Sequence, residues 1–184
     1  MVIHINPIQE FIQPEGDSYM HSPIELLDQT LDLYPFPVIV KEVGQGMGPE
    51  SIKQLLSRPI EALELAAYGG TNFAQVELLR GGENQLAPLK MVGHTAIEMI
   101  NIINHLLENE KNIKCKNIIA SGGVKSFLDG YYFTQLCQMP TMYGMASRLL
   151  KYSQGDYGLL KDFFEKHISG LKFASKLLRI KTTI

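Results

Sequence analysis

The feature that most constrains this fold is a unit that recurs along the chain. A short apolar run ends in small or polar residues, and a stretch with helical spacing follows. Val2 to Ile5 opens the series, and Ile24 to Leu33 (IELLDQTLDL) is its helical stretch. PVIVKEVG (Pro37 to Gly44) comes next, followed by PESIKQLL, where Pro49 suits a first helical turn. ALELAAYGG (Ala62 to Gly70), NIIASGG (Asn117 to Gly123) and TMYGMAS (Thr141 to Ser147) bring the strands to five, with a helix expected over Asp129 to Cys137. Runs such as VIV and IIA are apolar at successive positions, which predicts strands buried on both faces. Their alternation with helices predicts a parallel sheet.

The expected fold class is therefore α/β, as an open doubly wound sheet or as a partial (β/α)8 TIM barrel of about five parallel strands with crossover helices. A complete barrel takes about 250 residues, and this chain has 184. A single incomplete barrel domain over residues 1–184 is the expectation. With 45% apolar residues the chain can bury a sizeable core. A net charge of -2 gives no basic field for nucleic acid. Cys115 and Cys137 stand far apart in no metal-binding spacing, which suits reduced thiols. No apolar run approaches the roughly 18 residues of a bilayer span, and no basic leader precedes an apolar run. The expectation is a soluble cytoplasmic protein with neither a membrane nor a nucleic-acid partner.

Two longer stretches interrupt the regular spacing. Asn72 to Leu89, containing RGGENQ, reads as a long polar loop, and loops of that length in α/β units usually serve function. HTAIEMINIINHLLENE follows as the best helix, its stripe of Ile97, Ile100, Ile103 and Leu107 fitting an outer helix. Near the C-terminus, KHISGLKFASKLLRIK is basic and amphipathic; an outer helix is preferred over a membrane-surface or partner helix.

The strand ends carry the chemistry. GQGMG (Gly44 to Gly48) fails the dinucleotide fingerprint, because Pro49 occupies the position of its last glycine, and reads as a tight turn. SGGVK (Ser121 to Lys125) allows backbone N–H groups close to a phosphate, with Lys125 adding charge; simple tight turns are the alternative. Lys41 lies inside an apolar strand, so it either pairs with a carboxylate in the sheet or points towards a ligand. GGTNF (Gly69 to Phe73) suits a phosphate or a flavin edge, or is an ordinary capped turn. In NPIQE, Asn6 shares a strand face with His4, while Gln9 and Glu10 follow on a loop. Glu10 is a plausible oxygen ligand for Mg2+, with Glu15 its competitor.

IHINPIQEFIQPEGD, PVIVKEVGQGM, AYGGTNFAQVE and IIASGGVKSFLD occur in that order. Together they resemble the type 2 isopentenyl-diphosphate isomerases, FMN-dependent (β/α)8 barrels, over about Val2 to Leu150. The resemblance implies interconversion of isopentenyl and dimethylallyl diphosphate by reduced FMN acting as acid and base. NADPH would reduce the flavin and Mg2+ would neutralise the diphosphate. It implies that Gln9 contacts substrate, that Asn6 and His4 line the same pocket, and that Glu10 holds Mg2+. It further implies Lys41 on the flavin pyrimidine edge and Thr71 at the FMN phosphate. Gly122 and Gly123 with Val124, Lys125, Ala146 and Ser147 would cradle that phosphate.

This chain departs from the pattern at Ala66, where the family has a serine, and at Lys125, where some members have arginine. Arg148 replaces a common proline, and QLCQMP an alanine-rich stretch. The region matching the family's first three strands is absent. An N-terminal half, or a homo-oligomer, is thus the expected partner, and an inactive remnant or FMN- and phosphate-binding half-barrel is the alternative. A 2-hydroxy-acid oxidase would need a histidine–arginine pair that is not apparent.

Overall fold

The computed structural model describes residues 1–16, 22–81 and 85–181. Five parallel strands lie side by side in sequence order: β1 (Val2–His4), β2 (Ile39–Lys41), β3 (Ala62–Glu64), β4 (Asn117–Ala120) and β5 (Thr141–Tyr143). Helices alternate with them: α1 (Pro7–Ile12) and α2 (Pro23–Leu33) after β1, and α3 (Pro49–Leu56) after β2. Next come α4 (Phe73–Gly81) and α5 (Ala96–Asn109) after β3, α6 (Phe127–Leu136) after β4, then α7 (Ser147–Ser153) and α8 (Tyr157–Leu177). This is the α/β arrangement that the recurring unit predicts, consistent with part of a barrel.

The register explains which face the core occupies. Ile3, Val40 and Leu63 align across neighbouring strands, and β4 continues the row with Ile118. Val40, Leu63 and Ile118 are at most 1% exposed beneath the helices, packed with Ile52, Leu56, Met99, Ile100 and Ile103. The adjacent row is His4, Lys41, Glu64, Ile119 and Met142, and it faces the other way. That face is more open among the described residues, and Met142 on it is 55% exposed. The expectation of strands buried on both faces therefore holds for one face only.

Three local expectations are corrected. The NPIQE segment is a helix, because Asn6 caps it, accepting the Gln9 N–H at 2.8 Å, and Pro7 fits its first position. Asn6 is consequently buried while His4 stays exposed, so the two do not share a strand face. Asn72 to Leu89 is not a long loop: Asn72 accepts the Gln75 N–H at 3.0 Å and starts α4, and a 3-10 turn spans Ala87–Met91. Residues 82–84 of RGGENQ lie outside the described residues. On α5 the buried stripe is Ala96, Met99, Ile100, Ile103 and Leu106, whereas Ile97 is 43% exposed. The apolar letter at Ile97 matched the helical period but sits one position off the face that meets the sheet.

At the C-terminus α8 packs on α6 and α7. Ala174 is fully buried, and Tyr131 donates its hydroxyl to the Leu178 carbonyl at 2.8 Å. Among the described residues no helix is long and apolar enough to cross a membrane.

Candidate functional site

The strand tips converge because parallel pairing continues past the regular strands. Gly44 N–H donates to Ala66 O at 2.9 Å, Ala67 N–H to Ser121 O at 2.8 Å, and Gly144 N–H to Ala120 O at 3.0 Å. Loops held this closely must be small. A Cβ on Gly44 (φ +115°) would lie 2.0 Å from the Thr71 carbonyl, and one on Gly122 (φ +85°) 2.1 Å from that of Ala67. Only glycine adopts such backbone at such distances without displacing its neighbour.

The result is a hollow of about 300 Å³ at the C-terminal ends of β2 to β5. Lys41, Thr71, Gly122, Gly123, Val124, Ala146 and Ser147 all line it. Lys41 donates to its neighbour's carbonyl, Glu42 O, at 3.2 Å. Among the described residues it makes no ion pair, so the in-sheet carboxylate pair is not formed. Glu42 itself turns to the opposite side. Its buried carboxylate accepts the Gln45 and Gly46 N–H groups at 2.7 and 2.9 Å. Burial pushes its pKa above the usual carboxylate value, partly offset by those backbone donors. The Gly44, Gln45 and Gly46 amides of the GQGMG turn are thus occupied, which favours a turn over an anion site.

Lys125 is not brought into the hollow. Its backbone N–H and that of Ser126 donate to the Asp129 carboxylate at 2.9 and 2.8 Å, and its side chain lines a recess shared with Phe163 and His167. Asp129 and Ser126 form the capping box that starts α6, so sequence adjacency to the glycines places Lys125 past the turn.

The NPIQE residues form a separate cluster. α1 lies on α4, where Ile12 packs with Ala74 and Leu78. Gln9 donates from Nε2 to Glu77 at 3.3 Å; Glu77, 5% exposed, is also bound by Arg80, which reaches Glu15 at 2.7 Å. Pairing with Arg80 holds the Glu15 carboxyl below its usual pKa. Gln9 Oε1 and Asn6 Nδ2 are buried without hydrogen-bond partners. None of His4, Asn6, Gln9 and Glu10 lines the hollow. His4 is the register partner of Lys41, which does line it. Partial burial and the Lys41 ammonium lower its pKa while Glu10 pulls the other way. Among the described residues no three His, Cys, Asp or Glu side chains gather as a metal ligand set.

Sequence reasoning passed over Glu64 and Ser121, both in the hollow. The signal was present: Glu64 interrupts the apolar ALEL just as Lys41 interrupts VIVKEV. Ser121 donates its hydroxyl to Glu64 Oε1 at 2.9 Å and accepts the Ala66 N–H at 3.1 Å. Ala66 has φ +40°, a strained value for a residue with a Cβ.

A glycine-walled hollow at the tips of parallel strands, with one lysine and one carboxylate inside, lies where α/β proteins with parallel sheets commonly place their ligands. No family model matches the chain. Among curated proteins it is similar to the isopentenyl-diphosphate delta-isomerase of Rickettsia canadensis, with 30% identity over 94% of this chain and 49% of the relative. That of Rickettsia bellii is 29% identical over the same shares. The Chlorobium phaeobacteroides protein of the same name is 32% identical over 70% of this chain and 38% of its own length. The chain spans about half the length of the Rickettsia relatives it matches.

Proposed function

We propose that this chain supplies the cofactor-holding part of a type 2 isopentenyl-diphosphate delta-isomerase, interconverting isopentenyl and dimethylallyl diphosphate. The observation that carries the reading is the convergence of seven residues, from Lys41 to Ser147, on one hollow. The names of the relatives support the reaction. The FMN subtype rests on the fit of the residues present.

That fit is good for a phosphorylated flavin. Gly122 and Gly123 have successive positive φ values, +85° and +75°, backbone that glycine adopts readily and that lets a phosphate approach the chain closely. Lys41 and Glu64 place a donor and an acceptor at the other side of the hollow. Bound FMN, once reduced by NADPH, would supply the proton-transfer chemistry that moves the double bond without net redox change. The chain's own residues bind and orient. The Gly122–Gly123 turn, Thr71, Ala146 and Ser147 would hold the phosphate, and Lys41 the pyrimidine edge. Gln9, with its unpartnered oxygen, and Asn6, with its unpartnered amide, retain capacity to bind substrate. Glu10 would give Mg2+ one carboxylate, the rest of its shell coming from diphosphate and water, as that ion prefers. The buried thiols Cys115 and Cys137 suit a reducing cytoplasm.

Among the described residues the edges β1 and β5 each have one unpaired side, and an eight-stranded barrel would need three more strands. A complementary N-terminal half fits that need, whereas a second copy would bring five. The separation of NPIQE from the hollow favours a second reading, a flavin- or phosphate-binding half-barrel without turnover. Co-expression with the N-terminal half of the Rickettsia canadensis relative separates the two. A yellow complex that forms dimethylallyl diphosphate is expected. Flavin binding without turnover leaves the binding half-barrel, and no flavin in either preparation overturns both readings.

A further inference from the structure

We propose that Glu64 is a specificity residue of the hollow, selecting a heterocycle that presents a ring N–H beside its carbonyl oxygens. The inference rests on the flavin reading and deepens it. Glu64 is the register partner of Lys41 on the open sheet face, so the two side chains leave neighbouring strands in the same direction. Both line the hollow. Lys41 can only donate, and an ionised Glu64 can only accept. Side by side they match an edge that alternates carbonyl and N–H, the pattern of a pyrimidine dione.

The carboxylate is oriented for that role. Ser121 donates to Glu64 Oε1, and the same hydroxyl oxygen is fixed by the Ala66 N–H. Among the described residues no donor reaches Glu64 Oε2, the Ser121 bond being to Oε1. The left-handed Ala66 is thus tied to the residue that steers Glu64, and Ser121 is a positioning residue acting through it. A carboxylate in this place also repels a second anion. It therefore keeps the phosphate end of a ligand at the glycine turn and gives the hollow a direction.

Oxidised flavin has one ring N–H, at N3, which supplies a clean probe. Flavin fluorescence titration should show this chain binding FMN at least about 10-fold more tightly than N3-methyl FMN, the loss expected for one hydrogen bond to a charged acceptor. Glu64→Ala should lose about 10-fold for FMN and become indifferent to the methyl group. Ser121→Ala should keep the preference but reduce it. A role in folding alone would weaken both ligands equally and leave the ratio unchanged. Equal affinity of the wild type for the two flavins overturns the proposal while leaving FMN binding intact, and this arm needs no variant to fold. Failure of the wild type to bind either flavin overturns the flavin reading and this inference together.

Discussion

The glycine-walled hollow and the α1–α4 cluster are both rich in polar groups at strand ends, yet they are finished to different degrees. In the hollow, polar side chains are oriented by the protein and left open: among the described residues Lys41 makes no ion pair, and Glu64 is held by a single hydroxyl. In the cluster, Gln9 on α1 and Glu15 in the turn after it are tied to Glu77 and Arg80 on α4. Preorganised groups without protein partners mark a place for a ligand, whereas mutually satisfied ones fasten elements together. The first region reads as a binding site. The second is a clasp that leaves two polar atoms, Gln9 Oε1 and Asn6 Nδ2, open for the proposed substrate contacts.

The sharpest way to break that contrast is at Gly122. Its Cβ would enter the Ala67 backbone, with the carbonyl at 2.1 Å and the N at 2.4 Å. Gly122→Ala should therefore cost about 3 kcal/mol or more and lower the melting temperature by roughly 10 °C. Gly123→Ala meets nothing nearer than 3.7 Å, and only its left-handed backbone counts against it, about 1–2 kcal/mol. Circular dichroism melts of the two variants check the difference. Equal losses would mean that close packing does not shape the hollow.

Next in size is ligand binding. Lys41→Met should weaken FMN about 10-fold or more with little change in melting temperature. Gln9→Ala should leave FMN affinity unchanged. If Gln9→Ala weakens the flavin as much as Lys41→Met does, the two regions are one site.

A smaller effect is expected in the clasp. Arg80→Ala removes the cation beside buried Glu77 and should lower stability only slightly, because the Arg80 side chain is 54% exposed and its ion pairs are screened by water. Urea unfolding checks it, and FMN affinity should not move.

The subtlest test concerns Glu42. Its folded pKa is raised by burial, so its stabilising share is complete below the ordinary value of 4.5 and lost as pH rises through the folded value. Compared with Glu42→Gln, whose amide oxygen accepts the same two N–H groups, the wild type should lose relative stability from pH 4.5 upward and then level off. Urea midpoints measured across that range decide it. A pH-independent gap would show that the backbone donors fully offset burial.

Much of this architecture was legible in the letters. Period-two and period-3.6 patterns report which side chains one element can bury, so five strands, their parallel order and Pro49 at a helix start followed from local chemistry. So did the glycine turns, since strand–Gly–Gly requires backbone that few other residues adopt. What the sequence could not fix was direction beyond one element. Lys125 follows its glycines by two positions, but the Asp129 capping box turns it away from the hollow. NPIQE is rich in loop letters, but Asn6 closes a helix there and α4 gives it a surface to lie on.

The same limit applied to Glu64. Its charge within ALEL marked it as unusual, but only the register beside Lys41 and the reach of Ser121 from another strand gave that charge a place. Sequence alone determined the repeating units and the residues with chemistry at their ends, because those depend on neighbours along the chain. The tertiary structure decided which ends share one hollow, because the contacts that aim them, such as Ser121 on Glu64, join residues 57 apart in sequence.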